Sequence, residues 1–345
     1  MFLMRQRLLM RLLLLPLLLA VLGLSLPACE HASFNDFEDQ QDPLTNFDEL
    51  WKSLEERYTY WDLKGIDRDS LHQVHRVGAF TANSRVELFL VFEGLLNSLR
   101  DGHTNLLAEF DYTRYWEPFE TRPENFDRGV LIRNYWGNYR ISGGLVYTVI
   151  DSVGYLYIED FSQAPSGFSL DYAISAFQQV GVKGVVVDLR SNGGGRLQNA
   201  INLISRFTPQ NLLVARNRFK SGPGPDDWSE ADELQVEPGE TLWQGPVAVL
   251  TNRRCYSATN FAAYGLSLLD NVTLIGDSTS GGGGFPISRE LPIGWQYRFS
   301  GSRMVGPDGW ELELPLPPDI RQDNDPFQQA AGVDQILERA LQEVG

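Results

Sequence analysis

Two side chains in this sequence have types and settings that suit nucleophilic chemistry: Ser257 and His103. Ser257 follows an uninterrupted apolar run, Val247-Ala248-Val249-Leu250, which Thr251-Asn252-Arg253-Arg254 then breaks. From Ser257 onward the spacing turns helical, with Phe261, Tyr264, Leu266 and Leu268. A buried strand that turns into a helix lifts a hydroxyl clear of the sheet. It also leaves the next backbone N–H groups unpaired at the positive helix end. Acyl transfer needs an exposed nucleophile and fixed donors for a developing oxyanion, and this junction offers both. The plainer alternative is a serine that only caps its helix. His103 comes just after Arg100-Asp101-Gly102, where Gly102 is placed to end a helix in a left-handed conformation. Of the four histidines, His31 lies in a polar stretch, and His72 and His75 lie on a helix among polar residues. His103 is therefore the first choice for a general base, neutral at pH 7 given a reference pKa of about 6.5. A surface or capping role is its alternative.

A third feature is the glycine turn Arg190-Ser191-Asn192-Gly193-Gly194-Gly195, between the strand Gly184–Leu189 and a helix carrying Leu197, Ile201, Ile204 and Phe207. Such a turn can hold an anion through backbone N–H groups. It lacks the spacing of a dinucleotide fingerprint, and no Gly-Lys-Ser/Thr follows for a phosphate loop. It is either a tight turn alone or a source of one oxyanion donor facing the Ala258 N–H. In the latter case two turns at the same end of a parallel sheet would meet across a crevice.

Stepping outward, apolar residues at helical spacing over 46–107 predict a helical unit of roughly three helices. Asn46 with Glu49 should start the first, and Ser84 with Glu87 the third. Residues 108–144 read as a connecting segment. Strands at Leu145–Ile150, Gly154–Ile158, Val185–Leu189, Val247–Leu250 and Val272–Ile275 alternate with helices around 167–180, 197–207 and 257–268. That is a βαβ rhythm over the core, 145–345. Residues 208–245 hold Pro and Gly in quantity and read as a long surface excursion. Hairpin strands are expected around Tyr297–Val305 and Glu311–Leu314, and a last helix after Asp334.

Residues 1–28 read as a secretory signal: Arg5, Arg7 and Arg11, an apolar run from Leu12 to Leu26, then Ala28 before Cys29. Leu26-Pro27-Ala28-Cys29 resembles a bacterial lipoprotein box. Cys29 would then carry the lipid, and residues 29–45 would form a flexible polar tether. The chain would be an exported lipoprotein of the cell envelope, in the periplasm or at the outer membrane. Removing 1–28 leaves 26 basic against 45 acidic residues, a net charge of −19. That balance argues against nucleic acid as a partner. Cys29 and Cys255 are the only cysteines, so no disulfide framework exists.

Several segments together resemble the C-terminal-processing and tricorn-core serine peptidases. They are Asp101-Gly102-His103-Thr104, Gly154–Ile158, Asp188-Leu189-Arg190-Ser191-Asn192-Gly193-Gly194-Gly195, Asn252 to Ala258, Gly276 to Gly282, and Pro318-Asp319-Ile320. The resemblance implies an α/β fold with a crotonase-like ββα core and an N-terminal helical unit. It implies a serine peptidase acting on peptides or unfolded protein without metal or organic cofactor. Ser257 would be the nucleophile and His103 the base. The N–H groups of Ala258 and Gly194 would form the oxyanion hole, the glycine being fixed only to within one position. In the processing branch a lysine about 25 residues after the serine is the base; the matching residue here is Gly282. The tricorn-like branch instead uses a histidine in the place of His103, with a serine just before it and a distant glutamate. Gly102 stands where that serine would be, leaving Thr104 as a substitute, and Glu313, or else Glu311, as the carboxylate. The interval before Leu145 is too short for the PDZ module that many relatives carry. Arg253 or Arg254, beside the nucleophile, could bind a substrate's terminal carboxylate. The rival reading is a lipid-anchored module that binds peptide or another ligand on the same fold without cleaving it.

Overall fold

A computed structural model describes residues 42–115, 117, 123–163 and 165–345. The leader 1–28, Cys29, His31 and the tether through residue 41 lie outside the described residues. Three helices come first: α1 (Pro43–Arg57), α2 (Arg68–Thr81) and α3 (Arg85–Asn97). α1 begins earlier than Asn46. Asp42 is its cap, accepting the Thr45 N–H at 2.9 Å, and Pro43 fits the first helical position because it has no N–H to satisfy. Asn46 turns inward, where its Oδ1 accepts the Ile293 N–H. α3 opens as expected: Ser84 Oγ accepts the Glu87 N–H, and the Glu87 carboxylate accepts the Asn83 N–H.

Short strands β1 (Asn105–Leu107) and β2 (Tyr112–Arg114) and helix α4 (Arg128–Asn134) follow. Next come β3 (Arg140–Ser142), β4 (Leu145–Ile150), β5 (Val153–Ile158), α5 (Gly167–Val180), β6 (Gly184–Asp188) and α6 (Leu197–Ile204). β7 (Leu212–Phe219), β8 (Asp232–Val236), β9 (Val247–Thr251), α7 (Ala258–Ser267) and β10 (Val272–Gly276) continue the chain. It closes with β11 (Pro286–Glu290), β12 (Gln296–Ser300), β13 (Ser302–Val305), β14 (Ile320–Arg321), α8 (Pro326–Ala330) and α9 (Gln335–Val344).

The central sheet has seven strands in the order β14-β10-β9-β6-β5-β4-β3. From β14 to β5 the neighbours are parallel, and β5, β4 and β3 form an antiparallel meander. β6 and β9 are buried along their whole length, which explains their unbroken apolar runs. Their alternate residues serve opposite layers. Val185, Val187, Val247 and Val249 pack with residues of α5, α6 and α7; Val186, Ala248 and Leu250 pack against Ile336, Leu337 and Leu341 of α9. β6 and β9 are direct neighbours, with Asp188 opposite Leu250, so the turns that follow them sit side by side. This is the crotonase-like ββα core, with helices on both faces of the sheet.

The stretch 208–245 is not a surface excursion. β7 and β8 pair as a hairpin with β13 on the other side of β7, and Val214, Ala215, Val236 and Trp243 join the main core. The Gly- and Pro-rich Ser221–Pro225 occupies only the turn region between those two strands. Conversely, Glu311–Leu314 forms no strand and contributes one bridge, Val305 to Glu311.

A second sheet, β11-β12-β1-β2, is built from both ends of the chain. Its Trp295, Tyr297 and Phe299 pack against Phe47, Phe89, Phe92 and Leu96 of the helical unit. Residues from 286 to 300 therefore close the core of the N-terminal helices, and β1, which begins two residues after His103, is fixed between β12 and β2.

Candidate active site

Ser257 lies between β9 and α7 with φ 59° and ψ −122°. A positive φ is unusual for a residue with a Cβ and survives only where neighbours over-determine it. Here the Ser257 N–H donates to Gly281 O at 2.9 Å, and the Tyr256 N–H donates to Asn192 O at 3.2 Å. The Asn192 side chain ties the two turns together. Its Oδ1 accepts the Gly194 N–H at 2.9 Å and the Thr259 hydroxyl at 2.6 Å, and its Nδ2 donates to Ile158 O. Asn252 does the same one step away, accepting the N–H groups of Ser191 and Arg254 on its Oδ1. Beneath them, Arg190 is fully buried between Asp188 at 2.6 Å and Asp334 at 2.9 Å. The Asp-Leu-Arg segment is thus an anchor for the turn, its charges paired with one another and with Asp334.

His103 Nε2 lies 2.9 Å from Ser257 Oγ, a contact spanning 154 residues of sequence. The His103 N–H donates to Asp101 Oδ1 at 2.8 Å, and the Tyr256 ring packs 4.8 Å from the imidazole. On the far side of the ring, Nδ1 lies 3.4 Å from Ser300 Oγ at the end of β12. For Nε2 to accept the Ser257 proton, Nδ1 must carry the ring's own proton and donate toward Ser300. Burial pushes the His103 pKa down to about 4; the Asp101 charge opposes that, while Arg298, Arg114 and Lys64 add to it. Asp101 itself is held below the usual carboxylate range. Burial alone would raise it, but Lys64, His103 and the Ser300 hydroxyl outweigh that.

The other sequence-derived candidates fall in different places. Glu313 pairs with Lys64 at 2.6 Å and accepts the Gly283 N–H; its carboxylate makes no hydrogen bond to the imidazole. Burial, with the Asp101 charge added, pushes its pKa up to about 7 against the pull of Lys64. Ser300 rather than Thr104 meets the ring; the Thr104 hydroxyl is buried without a hydrogen-bond partner. The Gly194 N–H is engaged by Asn192, whereas neither the Gly193 nor the Ala258 N–H has an acceptor among the described residues. Arg253 is only 2 % exposed and bonded to Asp277 at 2.8 Å, so it does not face the cleft as expected. Arg254 is half exposed and faces Glu124 at 3.5 Å. Gly102 does not take a left-handed conformation; Arg100 does, with φ 50°. What Gly102 supplies is room, since a Cβ there would sit 3.0 Å from the Tyr256 ring. His72 packs on Trp51 and Phe47 instead of facing polar neighbours. Burial raises the Cys255 thiol to about 12, which leaves it inert between the turns. Ser300, Tyr256 and Arg298 also border the site without having stood out in the sequence; for Arg298 and Ser300 the alternation of β12, which sets both on one face, is the signal that points to them.

These groups open onto a cleft of about 410 Å³ lined by His103, Ser257, Gly193, Asn105, Arg114 and Arg298. A larger cavity of about 1000 Å³, between β4 and α5, holds none of them. Among the described residues no cluster of His, Cys, Asp or Glu is arranged to hold a metal ion.

The description "Peptidase family S41" matches residues 152–322, and "Tricorn protease C1 domain" matches residues 39–97. A solved structure of a candidate peptidase from Parabacteroides merdae is 34% identical, with a TM-score of 0.81 over 87% of this chain and 96% of that one. The chain belongs to peptidase family S41. The carboxy-terminal processing protease CtpA of Bacillus subtilis is 26% identical over 172 residues, 50% of this chain and 35% of that protein. The carboxyl-terminal-processing protease of Synechocystis is 30% identical over 132 residues, 38% of this chain and 29% of that protein. The chain thus spans about a third of the length of the curated relatives it matches.

Within this S41 chain, Gly282 explains why no lysine stands at its position. Its φ is +90°, and a Cβ there would lie 2.5 Å from the Tyr256 ring, which packs against His103. The space a lysine would cross is filled by that tyrosine. Gly282→Ala should therefore destabilise the fold by about 1–3 kcal/mol through backbone strain and overpacking. Urea unfolding of the variant measures this; an unchanged midpoint would contradict the packing described.

Proposed function

We propose that this chain is a serine peptidase in which Ser257 attacks the scissile carbonyl and His103 takes its proton. The observation that carries this reading is the His103 Nε2 to Ser257 Oγ contact of 2.9 Å, made by a serine held at φ 59°. A neutral imidazole accepts the hydroxyl proton as the Oγ–C bond forms. The tetrahedral oxyanion is met by the N–H groups of Ala258 and Gly193, the donors left without acceptors. One such donor is typically worth about 3 kcal/mol of barrier. His103 then protonates the leaving amine, and water repeats the sequence on the acyl-enzyme. Ser300 positions the imidazole by accepting from Nδ1–H, and Asp101 fixes the backbone of His103. Glu313 acts at one remove, as the partner of Lys64. The substrate class is peptide or unfolded protein.

Ser257→Ala should abolish cleavage of casein and labelling by a serine-directed phosphonate while leaving the melting curve intact. His103→Ala should lower kcat by several orders of magnitude. Normal turnover by Ser257→Ala would remove the nucleophile assignment. Unimpaired binding of a peptide that the wild type neither cleaves nor lets a phosphonate label would favour the non-catalytic binding module.

The depressed His103 pKa gives a second test. The base is active when deprotonated, so kcat/KM rises with pH through the histidine pKa and is flat above it. With that pKa near 4, the acid limb should lie well below pH 6. A limb centred at about 6.5, the ordinary histidine value, would contradict the buried setting.

We further propose that the chain is exported and anchored by lipid on Cys29 after removal of 1–28. The support is the leader's pattern and the Leu26–Cys29 box. Metabolic labelling with palmitate should mark the wild type and miss Cys29→Ala; equal labelling of both would refute it.

A further inference from the structure

Across the second sheet, Asn105 of β1 is registered opposite Arg298 of β12 on one side and Arg114 of β2 on the other. The three side chains therefore form a single rung on one face. The next rung, Tyr297, Leu106 and Thr113, is buried on the opposite face. The face is fixed independently by Ser300, two residues beyond Arg298, which reaches His103 Nδ1. Arg298, Asn105 and Arg114 accordingly line the Ser257 cleft.

Arg298 and Arg114 stand two strands apart with Asn105 between them, so this wall of the cleft carries two positive charges. Burial, with the Arg114 charge added, pulls the Arg298 guanidinium below its ordinary value. Tyr256, Tyr112 and Asp101 act on Arg298 in the opposite sense, and its Nε is buried without a hydrogen-bond partner. Arg298 is half-buried and so less constrained than the buried arginines, each of which has a carboxylate: Arg190 with Asp188 and Asp334, Arg206 with Asp171, Arg253 with Asp277. Arg114 donates its Nε to Gly102 O and lies over the Tyr256 ring, which aims it along the same wall. The carboxylate in the cleft is Asp160, which already accepts the Ser162 N–H. In a chain of net charge −16, two cations beside the nucleophile are a distinct local feature.

We propose that Arg298, with Arg114, binds a carboxylate of the substrate peptide next to the scissile bond. The carboxylate is either an acidic side chain or the peptide's own C-terminus. A planar guanidinium meets a carboxylate through two parallel hydrogen bonds, which sets register as well as affinity. This inference rests on the peptidase reading for its catalytic readout and stands apart from it for binding.

The test takes a casein-derived peptide that the wild type cleaves and three relatives: Glu or Asp next to the cut replaced by its amide, the C-terminus amidated, and both changes together. The expected result is that kcat/KM falls about tenfold or more when the responsible carboxylate is removed, the size of a charge-assisted pair. Arg298→Gln should bring that ratio close to one, and Arg298→Lys should restore part of it. Which of the two single changes matters identifies the source of the carboxylate. Equal rates on charged and neutral peptides, or a ratio that survives Arg298→Gln, would overturn the proposal. Should Arg298→Gln fail to fold, Arg114→Gln carries the same comparison. Binding of the peptides to Ser257→Ala separates the two readings. A charge preference there without turnover by the wild type would sink the peptidase and keep the carboxylate site; turnover without charge preference would do the reverse.

Discussion

The side chain of Asn192 is the constraint on which the site depends. It sits fully buried between two turns that follow adjacent parallel strands, and both of its polar atoms are satisfied. A buried amide left half-bonded is costly, so this arrangement admits one relative position of the turns and few others. The Ser257 backbone inherits that position. A relaxed φ at Ser257 would require the Tyr256 N–H to leave Asn192 O or the Ser257 N–H to leave Gly281 O. The strain at the nucleophile is held in place by ordinary hydrogen bonds made on either side of it.

The partner of Ser257 arrives by a different route. His103 belongs to neither the central sheet nor a helix; it lies between α3 and β1, and β1 is held by β12 from near the other end of the chain. The aromatic residues of β12 complete the core of the N-terminal helices. The helical unit and the second sheet are therefore one packing problem, and its solution delivers the imidazole to the edge of the other. A cavity opened at Trp295 or Phe299 would be felt at His103 before it was felt in the central sheet.

Local patterns in the sequence reached far into this structure. The apolar runs of β6 and β9, the helix after Ser257 and the loop setting of His103 depend on near neighbours, and all stand where their spacing put them. The failures share a cause, which is direction set by distant chain. Arg253 adjoins the nucleophile in sequence, but Asp277 after β10 draws it inward. The Gly194 N–H is taken by Asn192, which is why the proposed glycine donor is Gly193, within the one-position range that the sequence left open. Ser300 supplies the hydroxyl that is missing before His103, and only the register of β12 against β1 reveals it. The hairpin β7–β8 is hidden because the arginines of β7, the acidic residues of β8 and the Gly-Pro turn region mask the burial of Val214 and Val236.

The charges around the imidazole also bear on the kind of base that the proposed mechanism would ask of it. A carboxylate aimed at Nδ1–H would favour the imidazolium directly. Here a serine intervenes, and the Asp101 hydrogen bond goes to the backbone of His103. Arg298, Arg114 and Lys64 add a disfavouring field, and the ring stays in its accepting form far below neutral pH. Such a base is always ready but gains little by taking the proton, so more of the barrier falls to groups that meet the developing negative charge. Two of these cations, Arg298 and Arg114, line the Ser257 cleft, whereas Lys64 is paired with Glu313; the first two are the ones proposed to meet a substrate anion. Neutralising them on binding would return basicity to His103 at the moment the hydroxyl must be deprotonated, so that recognition and proton transfer draw on one electrostatic balance.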